Sequence, residues 1–137
     1  MTRILFTTPF KPYGIDNHYS RADSFPECLH NRVTRAQGIF SYRHHFSAFG
    51  LHVIANNICA DCTVLEYPTY KRFLRELGKG YDYVGIGSVM PNLQKVKLMA
   101  EDVRKHSPGT RIMVGGYCAH VDSISEMMPI DYLCTGD

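Results

Sequence analysis

Three short apolar runs constrain this chain most. They are Tyr81-Asp-Tyr-Val-Gly-Ile-Gly-Ser-Val89, Arg111-Ile-Met-Val-Gly-Gly-Tyr117 and Asp131-Tyr-Leu-Cys-Thr-Gly-Asp137. Each ends in small residues or glycine, and each follows an amphipathic segment. That rhythm belongs to parallel strands joined by crossover helices. Ligands of such sheets bind beyond the carboxyl ends of the strands. Here those ends read Gly-Ser, Gly-Gly and Thr-Gly, which lets a large, flat or phosphate-bearing ligand approach the backbone.

The rest of the chain fits the same rhythm. The first strand spans Arg3 to Thr8 and is stopped by Pro9. Residues 10–32 form a long polar and aromatic loop, of the kind that is usually functional or mobile. A helix is expected over about 33–49, closed by Gly50. Leu51-His-Val-Ile-Ala-Asn56 reads as the second strand, and Thr63–Tyr67 either continues it or forms a small hairpin. The second helix is expected to start near Pro68. It buries Tyr70, Phe73, Leu74 and Leu77, spaced i, i+3, i+4 and i+7. Gly78 and Gly80 end it.

The third strand covers about 82–88. Pro91 opens the third helix, with Leu93, Val96, Ala100 and Val103 as its apolar stripe. Lys95, Lys97, Glu101, Asp102, Arg104 and Lys105 are expected on its solvent side. Ser107-Pro-Gly-Thr110 is a turn. The fourth strand spans about 111–115, a short helix about 122–128, and the fifth strand Asp131 to Cys134. Right-handed crossovers then give an α/β three-layer sandwich. It is a Rossmann-like, flavodoxin-like fold with a five-stranded parallel sheet in the order 2-1-3-4-5. Val84, Ile86, Ile112, Val114, Ile4 and Phe6 are expected at its centre.

Size and composition allow one domain of 137 residues with 45% hydrophobic and 20% charged residues. A net charge of +2 does not argue for nucleic acid. No apolar run is long enough for a membrane span. Five scattered cysteines fit reduced thiols in a cytoplasmic protein better than a disulfide framework. The sheet ends at its fifth strand, where a further helix normally completes one face. The expectation is therefore an N-terminal domain of a longer protein, which alone self-associates or covers the bare face with loop 10–32.

Candidate chemistry is sparse. Gly85 and Gly87 interrupt the third strand, where glycine weakens pairing unless something approaches closely. There is no GxGxxG after the first strand and no P-loop. Cys59-Ala-Asp-Cys62 is a CxxC, but extended residues follow it rather than the helix a thioredoxin-like site needs. A zinc site would need His52, His44 or His45 to complete it. The bland reading, two ordinary thiols, is preferred. Asp16-Asn-His18 in the long loop would present an imidazole held by a carboxylate, or simply a solvated histidine. No Ser/His/Asp arrangement with a nucleophile elbow is visible, so the segment is not expected to be catalytic by itself.

The three motifs together, Tyr81-Asp-Tyr-Val-Gly-Ile-Gly-Ser88, Pro108-Gly-Thr-Arg-Ile-Met-Val-Gly-Gly116 and Asp131-Tyr-Leu-Cys-Thr-Gly136, resemble the N-terminal cobalamin (B12)-binding-type domain of radical SAM proteins. The resemblance covers most of the chain from the second strand onward. It implies a cobalamin site at the carboxyl edge of the sheet, with the nucleotide tail against Ser88, Gly115 and Gly116. Around these, Thr8, Pro9, Val89, Met90, Tyr117, His120 and Gly136 complete the expected cofactor-binding set. The implied partner is the protein's own downstream radical SAM domain, which would hold the iron–sulfur cluster and S-adenosylmethionine. The Cys-x-x-x-Cys-x-x-Cys cluster motif is absent from these residues. In the Asp-x-His-x-x-Gly pattern of cobalt-ligating relatives, Arg21 stands where glycine belongs, so His18 is not assigned to cobalt. Two other readings stay open: a B12-like docking domain without cofactor, and an independent flavodoxin-like binder of a mononucleotide or flavin.

Overall fold

The computed structural model describes residues 1–9, 48–88 and 93–136. The strands are β1 (Arg3–Thr7), β2 (Asp61–Leu65), β3 (Tyr83–Ser88), β4 (Arg111–Gly116) and β5 (Tyr132–Cys134). The helices are α1 (Phe49–Asn57), α2 (Tyr70–Leu77), α3 (Leu93–His106) and the single turn α4 (Ile124–Met127). A 3₁₀ turn, Tyr117–His120, follows β4. All strand pairs are parallel, and the order is β2-β1-β3-β4-β5. The expected sandwich and strand order are therefore observed.

Side chains alternate across a strand, and the register sorts them into two faces. Leu5, Val84, Ile86, Ile112 and Val114 share one face. They form a core with Phe73 and Leu77 of α2 and Val96, Met99, Ala100 and Val103 of α3. Each such fully buried Val, Leu, Ile, Phe or Met contributes about 1.5–3 kcal/mol. Cys118, Ile124 and Met128 extend the same core beyond β4. The opposite face carries Ile4, Phe6, Gly85, Gly87, Met113 and Gly115. Among the described helices only α1 lies there, with Leu51 packed over Gly87.

Several local expectations are corrected. Residues 51–56 are helix, not strand, and Gly50 lies inside that helix rather than after one. The second strand is the later run, and its pairing with β1 is what extends it. α2 does start near Pro68, as expected, but Pro68 precedes its first turn: Thr69 is the cap, and its hydroxyl accepts from the Arg72 N–H at 3.3 Å. Pro68 is fully buried just before that cap. Lys95 is 3% exposed rather than on the solvent side of α3. The expected first helix at 33–49, loop 10–32, Pro91 and the pair Asp16/His18 fall largely or wholly outside the described residues.

Side-chain anchors tie the turns to the sheet. Asp131 Oδ2 accepts from the Ile112 N–H at 2.6 Å and from Arg104 Nη2 at 2.6 Å. Arg104 also donates to the Thr110 carbonyl at 3.0 Å, so the end of α3, β4 and the start of β5 share one network. The Tyr81 hydroxyl donates to Glu76 Oε1 at 2.7 Å, binding the entry of β3 to α2. No helix of the described residues is long and apolar enough to cross a membrane.

Candidate functional site

In an open parallel sheet the ligand crevice lies at the carboxyl edge, where the strand order reverses. Here that point is between β1 and β3. Thr8 and Pro9 end β1, and both are buried. The Thr8 hydroxyl donates to the Pro9 carbonyl at 3.2 Å and accepts from the Tyr67 N–H at 2.6 Å. The Thr7 hydroxyl donates to the Leu65 carbonyl at 3.0 Å. These bonds fix the ends of β1 and β2 side by side. Tyr67 itself adopts a left-handed φ of 40°, which is unusual for an aromatic residue.

The sequence-derived residues divide between the two faces. Ser88 is buried on the α2/α3 face, and its hydroxyl donates to the Gly115 carbonyl at 2.8 Å. Cys118 lies beside it; burial pushes that thiol above its ordinary pKa, and a hydrogen bond with Ser88 opposes the shift. The Ser88 proton is thus used within the fold, leaving only acceptor capacity toward a ligand. Gly116 has φ +79°, and a side chain there would collide with the Ser88 backbone. Its glycine is required by the strand end itself.

Gly115 faces the other way. Gly87 and Gly115 are register partners, adjacent on the α1 face of β3 and β4. Among the described residues, a Cβ at Gly115 would meet Cys134, at 3.5 Å, and the nearest atoms to a Cβ at Gly87 belong to Leu51, at 3.1 Å. Together they make a pair of positions without side chains of their own, with Leu51 packed over Gly87 and Cys134 beside Gly115. Gly85 does not extend this pair, because the Phe6 ring already fills the space above it. Tyr117 and His120 are exposed beyond the end of β4, and Gly136, at φ +65°, has nothing within reach of a Cβ among the described residues. Val89 and Met90 lie outside the described residues.

Two groups at this edge were not singled out from sequence. Glu66, just after β2, accepts from the Ala48 N–H and lies 3.3 Å from His52 Nε2, so it pins the start of α1. Leu51 of α1 packs over Gly87. A usable signal did exist for the glycine pair: Gly87-Ser88 and Gly115-Gly116 sit at matching positions in their strands.

Cys59 and Cys62 follow the C-terminus of α1 rather than a helix N-terminus, and Cys62 lies within β2. Burial, aided by Asp61, raises the Cys62 thiol pKa, the reverse of an activated thiolate. Among the described residues no cluster of three His, Cys, Asp or Glu is arranged to hold a metal ion. Comparison with protein-family models, curated proteins and solved structures found no match to this chain.

Proposed function

We propose that the chain is a cofactor-binding module that takes cobalamin at the carboxyl edge of its sheet and serves a radical SAM catalytic domain. The observation that carries this reading is the pairing of Gly87 with Gly115 on the sheet face opposite α2 and α3. Two facing glycines destabilise a sheet unless something must approach the backbone closely. A ligand tail lying along β3 and β4 needs such a side-chain-free path. The parallel order supports the same edge, and so does the order of the three motifs.

The residues fit the group in this limited sense. Gly87 and Gly115 would form the floor, with Leu51 lying over Gly87 and Cys134 beside Gly115. Tyr117, His120 and Gly136 would contact the part outside the sheet. Thr8 and Pro9 would bound the β1 side. Ser88 would support the floor through Gly115 rather than donate to the ligand. Cobalamin, when bound, supplies a cobalt centre for methyl transfer or rearrangement; this chain's residues bind and orient it.

The test is the absorbance spectrum after mixing the chain with hydroxocobalamin and removing free ligand. Retention of the corrin bands, with loss in Gly115→Leu and no change in Lys97→Ala, is the expected result. No retention by the folded parent chain rejects the reading.

A second reading has its own observation. Ser88, Gly85 and Gly116 are all satisfied by contacts within the chain. That is what a docking domain without cofactor would show, and failure to retain any corrin favours it.

A further inference from the structure

Tyr83, Arg111 and Tyr132 are the first residues of β3, β4 and β5. Tyr83 pairs in register with Arg111, and Tyr132 with Met113, further along β4. Side chains alternate across a strand, so all three belong to the face that carries Gly87 and Gly115. They lie at its amino edge, about 13 Å along β4 from Gly115 at the usual strand rise. That separates them from the carboxyl edge, where ligands of such sheets bind.

The three side chains meet. Arg111 Nη1 donates to the Tyr83 hydroxyl and to the Tyr132 hydroxyl, each at 3.2 Å. The guanidinium carbon is 5.8 Å from the Tyr83 ring centroid, within cation–π range. The two ring centroids are 6.4 Å apart, with the planes inclined by 39°. An arginine on a protein surface ordinarily samples many rotamers, and a ligand has to arrest them. Here two phenols and a ring face hold the guanidinium in place beforehand.

The hydrogen-bonding capacity left over is one-sided. Each phenol oxygen accepts from Nη1, so its own proton remains to be donated. The two bonds use the Nη1 donors, and the N–H groups of Nε and Nη2 remain. Asp131 feels the charge of Arg111, but its carboxylate is bonded to the Ile112 N–H and to Arg104. Among the described residues no carboxylate lies within ion-pair distance of Arg111. Arg111 and Tyr132 are exposed and Tyr83 is half-buried, so these donors face a surface that a ligand can reach.

We infer that Tyr83, Arg111 and Tyr132 form an oxyanion-binding site, which takes a carboxylate or phosphate group at the amino edge of the sheet. The Nε and Nη2 donors of a guanidinium match two oxygens of such a group. The phenol protons donate to the same group from either side. A cation is repelled there, and a neutral acceptor forgoes the charge. The site does not depend on the cobalamin reading, because it lies at the opposite edge of the sheet.

Heteronuclear NMR titration of the isotope-labelled chain with inorganic phosphate and with acetate, at an ionic strength held constant with chloride, tests the site. Saturable shifts should centre on the Arg111 Nε–H and on the amides of Tyr83, Arg111 and Tyr132. Dissociation constants should be about millimolar, because the charge stays in contact with water. Tighter phosphate binding assigns the site to phosphate esters, and tighter acetate binding assigns it to carboxylates. Arg111→Gln should abolish saturation. Arg111→Lys keeps the charge without the fork, and Tyr83→Phe and Tyr132→Phe each remove one donor. Each of these three should weaken binding by about two- to tenfold, with far-UV circular dichroism unchanged. Shifts that chloride reproduces, shifts that never saturate, or parent-like affinity in Arg111→Lys overturn the inference and leave the arginine as a tie between strand ends. Arg111→Gln should not alter retention of hydroxocobalamin, so the two sites stand or fail separately.

Discussion

The Phe6 ring lies across Gly85: its Cδ1 is 2.7 Å from the position a Gly85 Cβ would occupy. The two residues are register partners on β1 and β3. Gly85 is therefore glycine because an aromatic neighbour, not a ligand, fills its space. Gly85→Ala should destabilise the chain by about 1–3 kcal/mol through overpacking. Phe6→Leu in the same background should recover part of that loss. Urea denaturation of the two single variants and the double variant measures the coupling, expected at about 0.5–3 kcal/mol. Strict additivity would show that the ring does not press on the glycine.

Gly115 and Gly116 are neighbours with opposite tolerance. A Cβ at Gly115 meets Cys134 only at ordinary contact distance. Gly115→Ala should change stability by less than about 1 kcal/mol, since it also reduces the freedom of the unfolded chain. Gly116 holds φ +79° against the Ser88 backbone, so Gly116→Ala should cost about 1–3 kcal/mol or more. Thermal melts of the two variants decide this, and equal melting temperatures would contradict it.

Asp131 should make stability depend on acid. Burial alone would raise its pKa, but the bonds from the Ile112 N–H and Arg104 outweigh that and hold the carboxyl below its ordinary value. A depressed folded pKa means the contribution is complete above the unfolded value, about 3.9. It is lost as pH falls through the folded pKa. Asp131→Asn should cost about 1–2 kcal/mol at pH 7. The gap between variant and parent should shrink below about pH 4. Denaturation curves at pH 7 and pH 3 test this; a constant gap would assign the cost to something other than the charge.

The cysteines should differ in reactivity by exposure. Cys59 and Cys134 are exposed, whereas Cys118 is buried with a raised pKa. Brief treatment of the native chain with a maleimide, followed by peptide mass spectrometry, should label Cys59 and Cys134 and spare Cys118 until denaturant is added. Early labelling of Cys118 would mean that the 3₁₀ turn after β4 opens readily.

Much of this fold is written locally. Val84, Ile86, Ile112 and Val114 lie in short apolar runs bounded by glycine and proline, and such runs state a buried strand wherever they occur. Tyr70, Phe73, Leu74 and Leu77 state the buried face of α2 in the same way. Parallel order follows because each strand is separated from the next by a helix-length segment. The strand ends, and with them the edge that carries Ser88, Gly115 and Gly116, were therefore readable in advance.

Contacts between distant residues decided the rest. Leu51-His-Val-Ile-Ala-Asn56 has the β-branched character of a strand, yet Glu66 and Gly87, further along the chain, receive it as a helix. The face each glycine takes depends on register across β1, β3 and β4, which separates Gly115 from Ser88 and joins it to Gly87. Likewise Lys95 is buried although its place on α3 reads as solvent-facing. Periodicity reports the preference of a segment for its own nearest neighbours. Which partner fills the space above a glycine, or accepts a helix's first N–H, is fixed only when the strands pair and the helices pack, because that free energy comes from residues far apart in the chain.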